Sequence, residues 1–155
     1  LAIDAPREKS AVTSACSSGD GLKLAVGTAE GSIGVLDVMT HGYATALRSH
    51  KGSVTAAAVD PCREREEFAT ASEDCTVRVW DLVTGAQLYH LRASPTPRHS
   101  DATPSTRGFH PSMRHLVVGY ASGATRVFDV QSTRTLFECQ QHGADVQEVR
   151  SIRVG

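Results

Sequence analysis

Aromatic side chains are scarce in this sequence of 155 residues, at 5% of the chain and with a single Trp. A core must therefore be built from Val, Leu, Ala and Ile rather than from packed rings. No apolar run approaches the roughly 20 residues of a membrane-spanning helix, which predicts no membrane span. The formal net charge is −1, so the basic excess that drives binding to nucleic acid is missing.

Sites for metals, cofactors or catalysis are also missing from the pattern. The four cysteines are scattered without a CxxC pair, at Cys16, Cys62, Cys75 and Cys139, which favours free thiols in a reducing, intracellular compartment. The seven histidines form no ligand pattern, whereas zinc needs three or four converging ligands. No Gly-rich phosphate loop or nucleotide fingerprint occurs. We therefore expect no metal, no cofactor and no catalytic residue.

An internal repeat is present instead. Segments 24–38, 68–82 and 116–130 each contain an apolar run, a polar turn, a second apolar run and then an Asp. These repeat-marking residues are Asp37, Asp81 and Asp129, 44 and 48 residues apart, close to the roughly 40–45 residues of a four-stranded propeller blade.

Further short strands complete the repeat. β-Branched or small residues dominate the segments before each pair of runs, at 12–17, 54–59 and 106–109. The same holds after each pair, at 43–47, 87–91 and 133–138. No stretch keeps a period of 3.6 residues. The sequence therefore predicts an all-β propeller fragment of about three four-stranded antiparallel blades plus flanking single strands.

The same frame predicts the domain organisation. Residues 11–49, 50–92 and 93–140 are predicted to be blades. Residues 1–10 are predicted to hold the last strand of a preceding blade and a linker, and residues 141–155 the first strand of a following blade. Residues 93–107 are polar and rich in Pro, which predicts an inserted surface loop with Ser/Thr-Pro pairs that a proline-directed kinase could modify. We interpret the chain as an internal fragment of a larger propeller.

The second repeat carries a family resemblance. Residues 49–54 read SHKGSV and residues 69–81 read ATASEDCTVRVWD, and together they resemble a complete WD repeat. The resemblance implies one hydrogen-bonded chain through His50, Thr70 or Ser72, Asp74 and Trp80. Such a set satisfies a buried carboxylate and a buried indole N–H, so we interpret it as structural. A Ser-His-Asp triad is the alternative, but no strained nucleophile turn or oxyanion hole accompanies it.

The flanking repeats depart from the motif. Glu30 and Ser122 stand where the second repeat has Asp74, and Leu36 and Phe128 stand where it has Trp. The complete polar set is therefore expected in the second blade alone, and plain apolar packing in the other two.

A finer resemblance covers residues 27–32, 47–50, 108–111 and 118–123, which look similar to the large WD-repeat proteins of the centriole inner wall and the ciliary base. It implies a non-catalytic scaffold in the cytoplasm and cytoskeleton, at the centriole, basal body or axoneme. The implied partners are proteins, tubulin and other microtubule-wall proteins among them, together with the rest of its own propeller.

Two other classes of function stay open as alternatives. One is a substrate receptor of a ubiquitin ligase, or another signalling scaffold. Many such receptors carry an Arg two residues after the Trp-Asp pair, where this sequence has Val83 and, in the third repeat, Gln131. The other is an enzyme, for which no catalytic set emerges.

Four arginines are candidate partner contacts. Arg63 and Arg65 belong to a run of mixed charge, and Arg78 and Arg126 hold matching positions in two repeats. Each is interpreted either as part of a structural or solvated surface, where exposed ion pairs stabilise little, or as a contact with another protein.

Overall fold

The computed structural model describes residues 10–46, 49–62, 64–92, 104–109 and 114–140. These residues form three four-stranded antiparallel sheets, and no helix occurs within the described ranges. The strands of each sheet lie side by side in chain order, so that each pairs with the next along the chain. The predicted all-β blade architecture is therefore confirmed.

The strands alternate with tight turns in all three sheets. Sheet 1 contains β1 (Val12–Ser17), β2 (Lys23–Thr28), β3 (Ile33–Asp37) and β4 (Tyr43–Ala46). Sheet 2 contains β5 (Val54–Val59), β6 (Glu67–Ser72), β7 (Thr76–Asp81) and β8 (Gln87–Arg92). Sheet 3 contains β9 (Pro104–Phe109), β10 (His115–Tyr120), β11 (Ala124–Asp129) and β12 (Arg134–Gln140).

The loop predicted at 93–107 ends earlier in the structure than the sequence predicts. β9 already begins at Pro104, and Arg107 pairs with Val118 in the ladder to β10. A proline at the first position of a strand removes no essential ladder hydrogen bond, which explains why this polar, Pro-containing segment still forms a strand. Residues 93–103, and the flanking strands predicted at 1–10 and 141–155, lie outside the described residues.

Sheet 2 packs against a neighbouring sheet on each of its faces. Along β6, Phe68 belongs to the core shared with sheet 1, and Ala69 and Ala71 belong to the core shared with sheet 3. Successive strand residues point to opposite faces, so burial on both sides explains the nearly continuous apolar runs of the sequence. Each fully buried large apolar side chain contributes roughly 1.5–3 kcal/mol.

Each core contains two large aromatic residues, Phe68 and Trp80 in one and Tyr120 and Phe128 in the other. The core between sheets 1 and 2 contains Ala25, Ile33, Val35, Val54, Phe68, Trp80 and Leu82. The core between sheets 2 and 3 contains Ala69, Ala71, Val77, Val79, Leu91, Leu116, Val118, Tyr120, Ala124, Phe128 and Val130.

The first strands of the three sheets lie against one another, β1 against β5 and β5 against β9. Across the first contact, the hydroxyl of Thr13 donates a 2.5 Å hydrogen bond to the carbonyl oxygen of Val54. The next strand approaches as closely, because a Cβ atom placed on Gly27 would lie 2.3 Å from Cγ1 of Val54. The lack of a side chain at Gly27 therefore allows the close approach of sheets 1 and 2.

One turn recurs between the second and third strands of every sheet. Its last residue has positive φ in each case, +82° at Gly31, +64° at Cys75 and +80° at Gly123. Each of these residues donates its N–H to the carbonyl three positions earlier, at 2.9–3.1 Å. The left-handed region favours glycine, so Cys75 is the unusual residue of the three.

Candidate functional site

A buried chain of polar side chains crosses sheet 2 from its turn to its core. Asp74 lies in the β6–β7 turn, and its carboxylate oxygens are 3.2 and 3.3 Å from Nδ1 of His50. Nε2 of His50 is 2.8 Å from the hydroxyl oxygen of Thr70. Nε1 of Trp80 donates a 2.7 Å hydrogen bond to that same hydroxyl oxygen. The structure thus brings together four of the five residues that the WD resemblance implied.

The partners fix the proton on the imidazole of His50. A carboxylate accepts only, so Nδ1 carries the hydrogen that points to Asp74. Nε2 then accepts from the hydroxyl of Thr70, whose oxygen in turn accepts from the Trp80 indole. His50 and Trp80 also meet edge to face, with ring centroids 6.4 Å apart. Every side-chain polar atom of this hydrogen-bonded set therefore has a partner, as a buried network requires.

The carboxylate of Asp74 is held ionised by its surroundings. Burial alone would raise its pKa, but donors outweigh that effect and lower the pKa to about 2. The donors are the hydroxyl of Thr76 at 2.6 Å, the backbone N–H of Lys51 at 2.9 Å and the backbone N–H of Thr76 at 3.0 Å. The imidazole of His50 acts in the same direction. Sequence reasoning missed Thr76, although a hydroxyl two residues after a turn Asp is a usual donor to it.

Ser72 plays a different part from Thr70. Its hydroxyl donates a 2.9 Å hydrogen bond to the carbonyl of Gly52 and accepts one of 3.2 Å from the backbone N–H of Asp74. Ser72 therefore joins the segment after His50 to the β6–β7 turn, and it holds Asp74 in place through the backbone rather than through the imidazole.

The His50 set does not form a nucleophilic site. A catalytic hydroxyl must be accessible to a substrate, whereas Thr70 is 0% exposed and His50 is 2% exposed. The hydroxyl oxygen also accepts the Trp80 N–H. This geometry supports structural cross-linking of the blade. Within the ranges that the structure describes, no three His, Cys, Asp or Glu side chains converge as a metal would need.

The three repeat-marking aspartates perform one structural task. Oδ1 of Asp37 accepts the backbone N–H of Met39 and Thr40, at 3.0 and 2.8 Å. Asp81 and Asp129 accept in the same way from the residues three positions later, at 2.6 and 2.7 Å. These backbone donors lower the pKa of all three carboxyl groups. Each Asp therefore closes the turn between the third and fourth strands.

The mixed charge run joins neighbouring sheets. Glu67 forms a two-pronged ion pair with Arg114 of sheet 3, at 2.8 and 3.0 Å. Glu66 lies 3.7 Å from the ammonium of Lys23 in sheet 1. Arg65 lies 3.8 Å from Asp60 within sheet 2. Sequence reasoning missed these contacts between sheets, because alternating charges in a loop are equally typical of a solvated surface.

The four candidate arginines have different surroundings. Arg63 lies outside the described residues. The side chain of Arg65 is 30% exposed. Arg78 is partly buried and donates from Nη1 to Oε1 of Gln87 at 2.7 Å. Arg126 is 3% exposed, and its guanidinium lies over the ring of Tyr120 at 4.8 Å.

Two cavities open between sheets 1 and 2, with volumes of about 190 and 310 Å³. Lys23 and Leu82 line both cavities. Lys23 also helps to lower the pKa of Asp37 and Asp81, although the backbone donors have the larger effect on both. The cavities therefore share a wall of mixed polarity. None of the described segments forms a helix with the length and hydropathy that a membrane crossing requires.

Comparisons of sequence agree with this architecture. Residues 43–81 match the family model described as WD domain, G-beta repeat. The chain is 39% identical over 131 residues to WD repeat-containing protein 90 of Mus musculus. This alignment covers 84% of the chain and 7% of that protein. It is 45% identical over 139 residues to centriole proteome protein 16 of Chlamydomonas reinhardtii. This second alignment covers 90% of the chain and 6% of that protein. The chain therefore spans a small part of the length of these relatives.

Comparisons of structure show the same fold. The computationally designed Ika4 protein superimposes with a TM-score of 0.78 at 23% identity, over 96% of this chain and 84% of that chain. A chain in the crystal structure of the mitotic checkpoint complex superimposes with a TM-score of 0.78 at 21% identity, over 95% of this chain and 42% of that chain. At this identity the likeness concerns the fold alone.

Proposed function

Because the chain belongs to the WD-repeat β-propeller family, whose blades support a protein-interaction scaffold, we propose that it is a non-catalytic scaffold of the centriole or cilium. Its partners in this proposal are microtubule-wall proteins, tubulin among them. One observation carries the proposal: 90% of the chain aligns at 45% identity with a protein named for the centriole proteome.

The surface of sheets 1 and 2 offers contacts suited to such a role. Met39 and Val83 occupy corresponding turns after the third strands, and they are 71% and 59% exposed. Val83 also lines the cavity of about 310 Å³ between the two sheets. Exposed apolar side chains beside a cleft are typical of protein contact surfaces. We therefore place a partner contact at these two turns.

Two measurements on the full-length protein test the proposal. A fluorescently tagged protein at its native expression level is expected at centrioles or along axonemes. The purified protein is expected to co-sediment with microtubules. Diffuse localisation together with loss of co-sedimentation would overturn the centriolar assignment, and recovery of ligase adaptors in the same pulldown would favour the receptor class instead.

A pair of variants tests the contact surface. Met39→Ser combined with Val83→Ser should weaken co-sedimentation without lowering the melting temperature, because both side chains are exposed. Leu136→Ser is the matched control, since Leu136 is 53% exposed on sheet 3. Equal loss in both variants would contradict a contact at the two turns.

A further inference from the structure

Two arginines at equivalent positions meet different partners across their strands. Arg126 on β11 pairs in the ladder with Glu138 on β12. Arg78 on β7 pairs in the ladder with His90 on β8. Directly opposed residues of adjacent strands bring their side chains into contact. Sheet 3 therefore sets a carboxylate against its arginine, whereas sheet 2 sets an imidazole there.

In sheet 3 the charge is neutralised within the chain. Nε of Arg126 donates a 3.0 Å hydrogen bond to Oε2 of Glu138, and Nη2 donates one of 3.3 Å to Oε1. A two-pronged pair of this kind matches the planar guanidinium to the carboxylate in both geometry and charge. This pair shows what an arginine at this position of the blade binds when a carboxylate is available.

In sheet 2 the corresponding charge has no acidic partner among the residues that the structure describes. Nη1 of Arg78 reaches only the neutral amide oxygen of Gln87, and Nε is buried without a hydrogen-bond partner. His90 and Arg92 are exposed on the same outer strand, and neither side chain forms a hydrogen bond or an ion pair with another described residue. We call Arg78, His90 and Arg92 the cationic edge.

The electrostatics of the cationic edge favour an anion. Partial burial lowers the pKa of His90 first, and the charges of Arg78 and Arg92 lower it further, while Asp74 opposes them. Like charges on adjacent strands cost free energy, and an added anion would remove that cost. Sheet 2 is the middle sheet of the three and packs against sheets 1 and 3 on its two faces. The exposure of the cationic edge therefore does not come from a missing neighbouring sheet.

From this comparison we infer that the cationic edge is a docking surface for an Asp- or Glu-rich segment of a protein partner. A partner carboxylate takes the place against Arg78 that Glu138 takes against Arg126. A peptide suits the edge better than nucleic acid, because two arginines and one imidazole in a chain of net charge −1 cannot make the many phosphate contacts that nucleic-acid binding uses. Leu88, which is 41% exposed on the same strand, offers an apolar contact beside the charges.

Binding of a fluorescein-labelled hexaglutamate peptide to the full-length protein tests the inference. His90→Glu places on β8 the carboxylate that sheet 3 already has, so Arg78 is neutralised within the chain and peptide affinity should fall about tenfold, the loss of a charge-assisted hydrogen bond. The melting temperature should not fall. Arg78→Gln should weaken binding to a similar extent. Arg134→Gln, which removes an exposed cationic side chain on β12 of sheet 3, is the matched control and should leave affinity within about twofold.

A spectroscopic readout separates this surface from binding elsewhere. In the wild-type protein, saturating hexaglutamate should raise the pKa of His90 measured by NMR, because a carboxylate would sit beside the imidazole. Unchanged affinity in His90→Glu, or an unmoved His90 pKa at saturation, would overturn the inference. Tighter binding of a decathymidylate oligonucleotide than of hexaglutamate, lost in His90→Glu, would reassign the edge to nucleic acid. The inference does not depend on the centriolar proposal, and its failure would leave localisation unchanged.

Discussion

Nε2 of His50 lies 2.8 Å from the hydroxyl oxygen of Thr70, and this contact couples the turn of sheet 2 to its core. The same oxygen receives the Trp80 indole N–H. One hydroxyl thus satisfies two buried partners, as donor to the imidazole and as acceptor from the indole. Sheet 3 has Val118 and Phe128 at the positions of Thr70 and Trp80, and both are fully buried without a polar network.

Thr70→Val should therefore destabilise the protein by about 3 kcal/mol, because it leaves two buried polar groups unsatisfied at roughly 1–3 kcal/mol each. Urea unfolding followed by tryptophan fluorescence measures the loss. Trp80→Phe alone removes the indole donor and much packing.

The double variant Thr70→Val/Trp80→Phe reproduces the apolar pair of sheet 3. It should be less destabilised than the sum of the two single variants, because the orphaned indole N–H is absent. Circular dichroism unfolding gives the free energy for this variant. Strict additivity of the single and double changes would contradict the shared role of the hydroxyl.

Stability should depend on pH through Asp74. Its pKa in the folded protein is about 2, below the ordinary value of 3.8, so its contribution is fully present above pH 4 and is lost as the pH falls through about 2. The difference corresponds to about 1–2 kcal/mol, allowing for the 9% exposure of its side chain. Denaturant titrations between pH 5 and pH 2 measure this slope.

Asp74→Asn supplies the comparison for that slope. It should flatten the dependence between pH 4 and pH 2, while Asp129→Asn, which changes a partly exposed turn carboxylate, should flatten it less. Equal slopes in wild type and Asp74→Asn would show that the His50 network does not hold the carboxylate ionised.

Cys75 offers a route to higher stability. It has a φ of +64° at the turn position where sheets 1 and 3 have Gly31 and Gly123. Cys75→Gly should raise the free energy of unfolding by about 0.5–1 kcal/mol, because glycine adopts this backbone conformation without steric cost. Cys75→Ala separates the backbone effect from the thiol, since it keeps the Cβ atom and should give no such gain. Thermal melts of the three proteins decide between these outcomes.

The architecture followed from local patterns, and the polar network was implied by the WD resemblance. The apolar runs, the turn residues and the WD-like spacing predict the strand pairs, and they place His50, Asp74 and Trp80 in one blade. The motif left Thr70 and Ser72 as alternatives, because both lie on the same strand and only the register decides which hydroxyl faces the indole.

The surroundings of individual side chains within a sheet were not predictable from those patterns. The positions of Arg78 and Arg126 match in sequence, yet their environments differ because His90 and Glu138 stand opposite them. The register is the same in the β7–β8 and β11–β12 pairs, with one shift at the equivalent position of each, so the difference comes from the residue types on the outer strands. The start of β9 at Pro104 was missed for a related reason, since pairing with β10 outweighs the loop character of its residues.

The adjacent acids Glu66 and Glu67 give a last prediction on how the sheets are joined. Glu67 and Arg114 form two short hydrogen bonds with side chains 15% and 26% exposed, and the guanidinium also lies 5.7 Å from the ring centre of Tyr89. Burial lowers the pKa of Arg114, but the charge of Glu67 outweighs it and the pKa is raised. Glu66 is half exposed and lies 3.7 Å from Lys23.

Glu67→Gln should therefore cost about 1 kcal/mol of unfolding free energy, since a two-pronged and partly buried pair is lost. Glu66→Gln should cost less than about 0.5 kcal/mol, because exposed pairs contribute little and are screened by salt. Urea midpoints at low and high salt distinguish the two variants, with the smaller effect of Glu66→Gln vanishing at high salt. A larger loss from Glu66→Gln would mean that sheets 1 and 2, rather than sheets 2 and 3, depend on charge for their docking.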